Sequence, residues 1–86
     1  MGYTVHLTRA AERDLSSLDN TLQRRIGERI AELAIAPYGP GSEKLKGTKS
    51  RYRVRVGDYR IIYEVSDSIL VVLVITIGHR REVYRR

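Results

Sequence analysis

The sequence contains no cysteine, no tryptophan and no phenylalanine, and only two of its 86 residues are proline. Without cysteine, neither a disulfide nor a zinc site built on thiolates can hold the chain together. Stability must therefore come from packing, and a chain of this length lies near the lower limit for one self-sufficient core. We expect a single domain over residues 1–86.

Segments that direct a protein to a membrane or out of the cell are not found in the sequence either. Residues 1–6 lack the apolar stretch of a signal peptide. The longest apolar run, from Ile69 to Ile75, is far too short to cross a bilayer. These features predict a cytoplasmic location and no membrane partner.

Acidic residues are scarce in the second half of the chain. Residues 44–86 hold eleven Lys or Arg against four acids, a net charge of +7, whereas residues 1–43 hold five against six, a net charge of −1. Thirteen of the sixteen basic residues are arginine, whose planar fork binds phosphate through two hydrogen bonds. This asymmetry indicates a nucleic acid or another acidic partner, and the alternative is a solvated basic face that confers solubility.

The pattern of apolar residues predicts one strand, two helices and then three strands. Thr8 is expected to cap the first helix and the segment Asp19-Asn20-Thr21 the second, whose apolar stripe repeats every three or four residues. A tight turn at Gly57-Asp58 joins two of the later strands. The predicted elements are a strand at 3–7, helices at about 9–18 and from 19 to 36, and strands at 51–56, 59–65 and 69–77. The resulting fold class is α+β with the order β-α-α-β-β-β, an antiparallel sheet packed against an N-terminal helical hairpin.

Arginine alternates along the strand at 51–56, and the predicted turn sets another arginine opposite it. With a two-residue turn, Arg55 pairs with Arg60, and Arg53 shares their face of the sheet. Directly opposed like charges destabilise a sheet by a few tenths of a kcal/mol to about 1 kcal/mol. The antiparallel final strand then ends beside Arg60, so the residues that follow it are expected to emerge at the same corner. The side chains gathered there are Arg53, Arg55, Arg60, His79, Arg80 and Tyr84.

This corner predicts a phosphate site that needs no metal. The acidic residues of the second half are scattered over turns and strands, which disfavours chemistry with two bound metal ions. Arginines can instead neutralise the charge that builds up on a phosphoryl group. If the substrate is RNA, its own 2′-OH can attack the neighbouring phosphorus, and the protein need only position, protonate and neutralise. We expect no cofactor and no metal.

Simpler interpretations of these residues stay open. Charged side chains on an edge strand protect it from aggregation, which accounts for Arg51 and its neighbours without any ligand. Tyr59 and Tyr63 share a face with apolar residues and are predicted to be core. A histidine after a strand is often only a polar surface residue, although the common use of imidazole as a general acid or base makes His79 a candidate auxiliary acid or base. Tyr84 lies in a polar segment, where stacking on a base is the functional interpretation.

Four short motifs resemble those of the RelE branch of the RelE/ParE toxin superfamily, and the resemblance covers essentially the whole chain. Each motif is weak alone, but the four together in this order and spacing are more specific. They are Lys44-Leu45-Lys46-Gly47, Tyr52-Arg53-Val54-Arg55, Tyr59-Arg60-Ile61-Ile62-Tyr63 and Gly78-His79-Arg80-Arg81-Glu82-Val83-Tyr84. The resemblance implies a toxin of a type II toxin–antitoxin pair that enters the ribosomal A site. There it would cleave mRNA by 2′-OH attack and leave a 2′,3′-cyclic phosphate.

The resemblance also implies a role for each residue of the corner. Arg55 takes the position of the general base, and Arg53 takes that of a residue that holds the phosphate. Arg60 stabilises the transition state and Arg80 protonates the leaving 5′-oxygen. Tyr84 stacks on the substrate base or orients it.

One departure from the family concerns proton transfer. Well-studied relatives carry lysine where this chain has Arg53 and Arg55, and arginine stays charged where lysine can release its proton. Two explanations follow. Either Arg55 acts electrostatically while His79 or a ribosomal group takes the proton, or catalysis is weak.

The implied partners are the ribosome with its mRNA, a cognate antitoxin in a hetero-oligomer, and operator DNA only through the antitoxin. An acidic, partly helical antitoxin segment wrapping the basic face would fit the charge asymmetry. The expected RNA- or ribosome-binding residues are Lys44, Lys46, Lys49, Arg51 and Arg81. Two alternative functions remain. One is a ParE-like poison of DNA gyrase that cuts no RNA, and the other is a weakly active homologue that mainly binds its antitoxin and co-represses a promoter.

Overall fold

The chain folds in the predicted order, with one additional short strand. The computed structural model of the protein describes residues 2–79. The elements are, in chain order, β1 (Thr4–Leu7), α1 (Arg9–Ser16), α2 (Asn20–Ile35), β2 (Glu43–Lys44), β3 (Arg51–Val56), β4 (Tyr59–Ser66) and β5 (Val71–His79). Thr8 caps α1 by accepting from the Ala11 amide at 3.1 Å, and Asp19 caps α2 by accepting from the Leu22 amide at 2.9 Å. These caps confirm the predicted helix starts, since a side-chain oxygen there satisfies an amide that the first turn leaves unbonded.

The five strands form one mixed sheet in the order β1-β5-β4-β3-β2. β3, β4 and β5 make the predicted antiparallel meander, and the turn between β3 and β4 uses Gly57 with a φ of 60°. β1 instead lies parallel to β5, which corrects the expectation of a wholly antiparallel sheet. Parallel neighbours need a long connection, and the helices together with the meander supply one.

Two strand boundaries differ from the prediction. β5 begins at Val71 rather than at Ile69, because Leu70 adopts a φ of 53°, which breaks an extended run. It then continues to His79, two residues beyond the predicted end. β2 was not predicted, because a strand of two charged residues carries no apolar alternation.

The helices cover one face of the sheet, and no helix within residues 2–79 covers the other. The predicted stripe of α2 buries Ile26, Ile30 and Leu33. The strand residues that meet these helices are Val54, Val56, Ile61, Tyr63, Val65, Val72, Val74 and Ile77. Each fully buried aliphatic side chain stabilises the fold by about 1.5–3 kcal/mol. Tyr63 is core as predicted, and its hydroxyl donates to the Pro37 carbonyl at 2.6 Å, which ties the loop after α2 to the sheet.

Side chains of the α1 region cover the edge of β5 where β1 ends. β1 pairs with only the first four residues of β5. Beyond them, Thr8 Oγ1 donates to the Ile75 carbonyl at 2.6 Å. The Asp14 carboxylate then accepts from the Ile77 amide and from Thr76 Oγ1, both at 2.9 Å. α1 therefore satisfies polar groups that a neighbouring strand would otherwise bond, and it holds the last part of β5 in place.

Three segments of the chain meet at Asp67, at the far end of β4. The Tyr3 hydroxyl donates to Asp67 at 2.7 Å, and the Tyr38 hydroxyl lies 2.9 and 2.8 Å from the two carboxylate oxygens. These bonds hold the pKa of Asp67 below its ordinary value, with the bond from Tyr3 contributing most. The bond to Asp67 in turn raises the pKa of Tyr3, while burial followed by the same carboxylate raises the pKa of Tyr38. We call this arrangement the Asp67 node.

Candidate functional site

Arginines from two strands lie on the helix-free face of the sheet. The pleat of β3 places Arg51, Arg53 and Arg55 there, and the register sets Arg60 of β4 directly opposite Arg55. Gly78 of β5 lies opposite Arg60 on its other side. The register confirms the predicted pairing, and we call these four arginines the arginine face.

Two members of the arginine face are paired with carboxylates. Arg51 Nε lies 3.2 Å from Glu64 Oε2, and Arg53 Nη2 bonds to Glu43 Oε2. Exposed pairs of this kind are worth roughly 0–1 kcal/mol. These two arginines therefore fit the simpler interpretation, that of a charged strand near the sheet edge.

Arg55 differs from them. Its side chain is exposed, and no carboxylate in the described part of the chain forms an ion pair with it. Arg60 across the hairpin is half-buried, and its Nε atom is fully buried. A guanidinium partly shielded from water acts in a lower effective dielectric, so it attracts an anion more strongly than a fully exposed one does. The Arg55–Arg60 pair is thus the part of the face best suited to an anionic ligand.

His79 lies on the opposite face from the arginines. It pairs with Tyr59 across β4 and β5, and the two rings meet edge to face with centroids 5.7 Å apart. Successive side chains of a strand point to opposite faces, so His79 falls on the helix side while Gly78 falls on the arginine side. The expectation that this histidine emerges over the same corner as Arg60 is therefore wrong. It lines a pocket of about 290 Å³ between the end of α1, the start of β4 and the end of β5.

The predicted lysines lie near the start of β3, away from Arg55. Lys44 belongs to β2, and Lys46 and Lys49 lie in the loop between β2 and β3. All three are exposed. The four residue-to-residue steps from Arg51 to Arg55 span about 13 Å of extended chain. The lysines border the arginine face but do not join the Arg55–Arg60 pair.

The remaining predicted site residues, Arg80, Arg81 and Tyr84, lie outside the described residues. Within residues 2–79, no three His, Asp or Glu side chains come close enough to hold a metal ion. In that same range, no helix has the length and apolar character needed to cross a membrane.

Two acidic residues that shape the site were missed in the sequence. Glu43 neutralises Arg53, and Asp14 positions the end of β5. Each acts on an element distant in sequence, Asp14 across 63 positions. No local pattern marks such contacts, because they exist only once the strands are in register.

Solved structures place this architecture among RelE-like toxins. A chain of the RelBE2 toxin–antitoxin complex from Mycobacterium tuberculosis superimposes with a TM-score of 0.83 at 27% identity, over 93% of this chain and 100% of that chain. A helical hairpin on one side of a five-stranded mixed sheet is therefore the fold of a RelE-like toxin.

Sequence comparisons agree with the fold. A family model described as the ParE toxin of the type II toxin–antitoxin system parDE matches residues 5–84. Toxin RelG of Mycobacterium tuberculosis is 30% identical over 100% of both chains. The mRNA interferase toxin RelE of Escherichia coli K12 is 28% identical over 98% of this chain and 92% of its own length. The chain belongs to the RelE/ParE superfamily of toxins of type II toxin–antitoxin systems, which confirms the family that its motifs resemble.

Proposed function

We propose that this toxin is a ribosome-dependent, metal-independent endoribonuclease that cleaves mRNA in the ribosomal A site and so inhibits translation. The observation that carries the proposal is the Arg55–Arg60 pair on the helix-free face. Two guanidinium groups directly opposite each other on one face can hold the same anion between them. A phosphodiester of mRNA supplies that anion, and the relative named mRNA interferase supports the choice of substrate.

The proposed reaction is a transesterification at phosphorus. The 2′-oxygen of one nucleotide bonds to the adjacent phosphorus, and the bond from phosphorus to the 5′-oxygen breaks. The 2′-hydroxyl loses its proton and the 5′-oxygen gains one. Arg60 neutralises the charge that develops on the phosphoryl oxygens, and Arg55 holds the phosphate. Arg53 is left out of this role because it pairs with Glu43. Protonation of the 5′-oxygen is assigned to Arg80, and orientation of the base to Tyr84.

Proton removal from the 2′-hydroxyl needs a group other than Arg55, because a guanidinium group keeps its proton in proteins. Of the two candidates, His79 lies on the helix side of the sheet, with its ring against Tyr59. This geometry favours a ribosomal group as the acceptor. It also accounts for the proposed dependence on the ribosome, which supplies substrate geometry as well.

The proposed partners follow from the solved relative, which is a complex of a toxin with its antitoxin. The antitoxin would cover the arginine face with an acidic, partly helical segment. Operator DNA would be reached only through the antitoxin. We assign the toxin to the cytoplasm, where translating ribosomes are.

A second candidate function is supported by the family model, whose description names ParE toxins. In this alternative the chain poisons DNA gyrase and leaves mRNA intact. The two functions differ in what the arginine face must do, because only the nuclease needs Arg60 beside a reacting phosphate.

One experiment separates the candidates. The toxin is expressed from a tightly controlled promoter, mRNA ends are mapped on translating ribosomes, and gyrase supercoiling is assayed in parallel. We expect new cuts in A-site codons that are abolished by Arg60→Gln and Arg80→Ala and weakened by Tyr84→Phe. Arg9→Gln, which removes an exposed charge on α1, should cut like the unmodified toxin. Inhibited supercoiling with intact mRNA would assign the gyrase function instead, and neither effect would assign an antitoxin-binding co-repressor.

A further inference from the structure

A groove of about 300 Å³ runs between α2 and the outer edge of β3, close to the turn that follows β3. α2 contributes Arg25, Glu28, Arg29 and Glu32 to its walls, and β3 contributes Arg55 and Val56. The groove exists because β2 pairs with β3 only as far as Arg53. Beyond that residue, no strand within residues 2–79 covers this edge.

The charges that line the groove do not cancel. Arg29 and Glu32 neutralise each other within the groove wall, since Arg29 Nη1 bonds to Glu32 at 2.7 Å, and Arg29 Nη2 donates to the Pro40 carbonyl at 2.8 Å. Arg25 and Arg55 form no ion pair with any carboxylate of the described residues. Glu28 is the one remaining acid among the lining residues, so two arginines face one unpaired carboxylate.

The position of Arg25 argues against a simple helix-surface role. Glu28 lies one turn further along α2, where an ion pair between positions i and i+3 is available. The Arg25 guanidinium instead reaches over the β3–β4 turn, with Nη2 3.8 Å from the place that a Cβ atom would occupy at Gly57. It is thereby brought to the same groove as Arg55, a like charge.

The groove and the candidate active site share Arg55. Arg55 is directly opposite Arg60 on the helix-free face, and it also lines the groove at the strand edge. A polyanion whose one phosphate lies at the Arg55–Arg60 pair can therefore continue around the edge of β3 toward Arg25. Nucleic-acid strands carry phosphates at regular, closely spaced intervals, which suits two neighbouring arginine sites.

We propose that this groove is a second phosphate site, in which Arg25 binds the phosphate next to the one that is cleaved. The proposal rests on the proposed function and deepens it by assigning the path of the RNA strand. Arg25 acts here as a binding residue, not a catalytic one. Its loss weakens the complex with mRNA on the ribosome and leaves the chemical step at saturation intact.

The test compares Arg25→Gln with Arg24→Gln in single-turnover cleavage of a synthetic mRNA bound to ribosomes, with toxin concentration varied. Arg24 is a matched control, because it is the adjacent exposed arginine of α2 and does not line the groove. For Arg25→Gln we expect the half-saturating toxin concentration to rise about tenfold, as for loss of one charge-assisted hydrogen bond. The maximal rate should stay within about twofold, and Arg24→Gln should match the unmodified toxin.

An uncharged phosphate analogue in the RNA gives a second test, whose position-specific result a misfolded variant would not reproduce. Each phosphate that neighbours the cleaved one is replaced in turn by an uncharged methylphosphonate. With the methylphosphonate at the position that Arg25 binds, the half-saturating concentration of unmodified toxin should rise about tenfold, and that of Arg25→Gln should not rise further. The proposal is overturned if Arg24→Gln and Arg25→Gln weaken binding to the ribosomal mRNA equally. It is also overturned if each of the two methylphosphonates weakens Arg25→Gln as much as it weakens the unmodified toxin.

Two other outcomes also overturn the proposal and identify the cause. If Arg25→Gln cleaves normally but binds the antitoxin more weakly, the groove holds carboxylates of the antitoxin instead of RNA. If unmodified toxin does not cut mRNA on the ribosome, the proposed function itself fails. If unmodified toxin and Arg25→Gln both cut mRNA normally, the second phosphate site is disproved and the proposed ribonuclease function stands.

Discussion

At the scale of single residues, the Arg55–Arg60 pair is a locally unfavourable choice. Like charges directly opposite each other in a hairpin repel, and two neighbouring arginines of the face, Arg51 and Arg53, pair with carboxylates. Sequences that specify a fold well usually break such rules only at functional sites. Within β3, Arg51 and Arg53 pair with carboxylates and Arg55 does not. This difference distinguishes the candidate binding site from the rest of the charged strand.

Replacing Arg55 should therefore improve stability while it impairs function. For Arg55→Gln we expect the free energy of unfolding in urea to rise by a few tenths of a kcal/mol to about 1 kcal/mol at low salt. The gain should shrink as salt screens the repulsion, and mRNA cleavage on the ribosome should fall. Arg51→Gln serves as the control, because it breaks the pair with Glu64 and relieves no opposed charge. An equal gain in both variants would contradict the explanation.

At the scale of elements, α1 takes over the role of a missing strand. β1 stops after four pairs, and the carboxylate of Asp14 accepts the Ile77 amide that lies beyond it. This contact fixes the end of β5, and with it the position of Gly78 beside Arg60. The geometry of the arginine face thus depends on a helix on the other side of the sheet.

Removing the Asp14 carboxylate should loosen the end of β5. We expect Asp14→Ala to lower the free energy of unfolding by about 1–3 kcal/mol, because it removes the acceptor of the Ile77 amide at a buried residue. Hydrogen exchange at the Ile77 amide should quicken. Asp14→Asn should lose less stability than Asp14→Ala because it keeps an acceptor oxygen. Glu12→Ala on the exposed side of the same helix is the control. Unchanged exchange at Ile77 in Asp14→Ala would disprove the role.

Elements with a local signal were predicted well, and elements that depend on a distant partner were not. The caps at Thr8 and Asp19 and the Gly57-Asp58 turn involve atoms a few residues apart, so their chemistry is visible in the sequence. β2 has two residues and exists only because it pairs with β3. The parallel placement of β1 is likewise a property of the assembled sheet.

At the scale of the whole molecule, the Asp67 node joins the N-terminal segment, the loop after α2 and the β4–β5 turn. The pKa of Asp67 is lowered in the folded state, so its contribution to stability is present above the ordinary value of 3.8 and is lost as the pH falls through the folded pKa. The pKa of Tyr3 and of Tyr38 is raised, so their contribution is complete below the ordinary value of 10.0 and is lost as the pH rises through the folded values.

The node predicts a plateau in stability between these two limits. The difference in unfolding free energy between the unmodified chain and Asp67→Asn should be largest between about pH 5 and about pH 9, where Asp67 is charged and both tyrosines are neutral. It should narrow toward pH 3 and again above pH 10. Urea unfolding across this range measures it, and Ser68→Ala on the same turn is the uncharged control. A difference that does not vary with pH would rule out the node as the source.

The sequence by itself determined the order of the elements, the core face of α2, the hairpin register and the opposition of Arg55 and Arg60. Each of these depends on periodicity or on a tight turn, which act over a few residues. Only the tertiary structure decided which arginines are neutralised, that His79 lies on the opposite face, and that Arg25 reaches the groove beside Arg55. These depend on contacts between elements far apart in the chain, and a local pattern does not encode them.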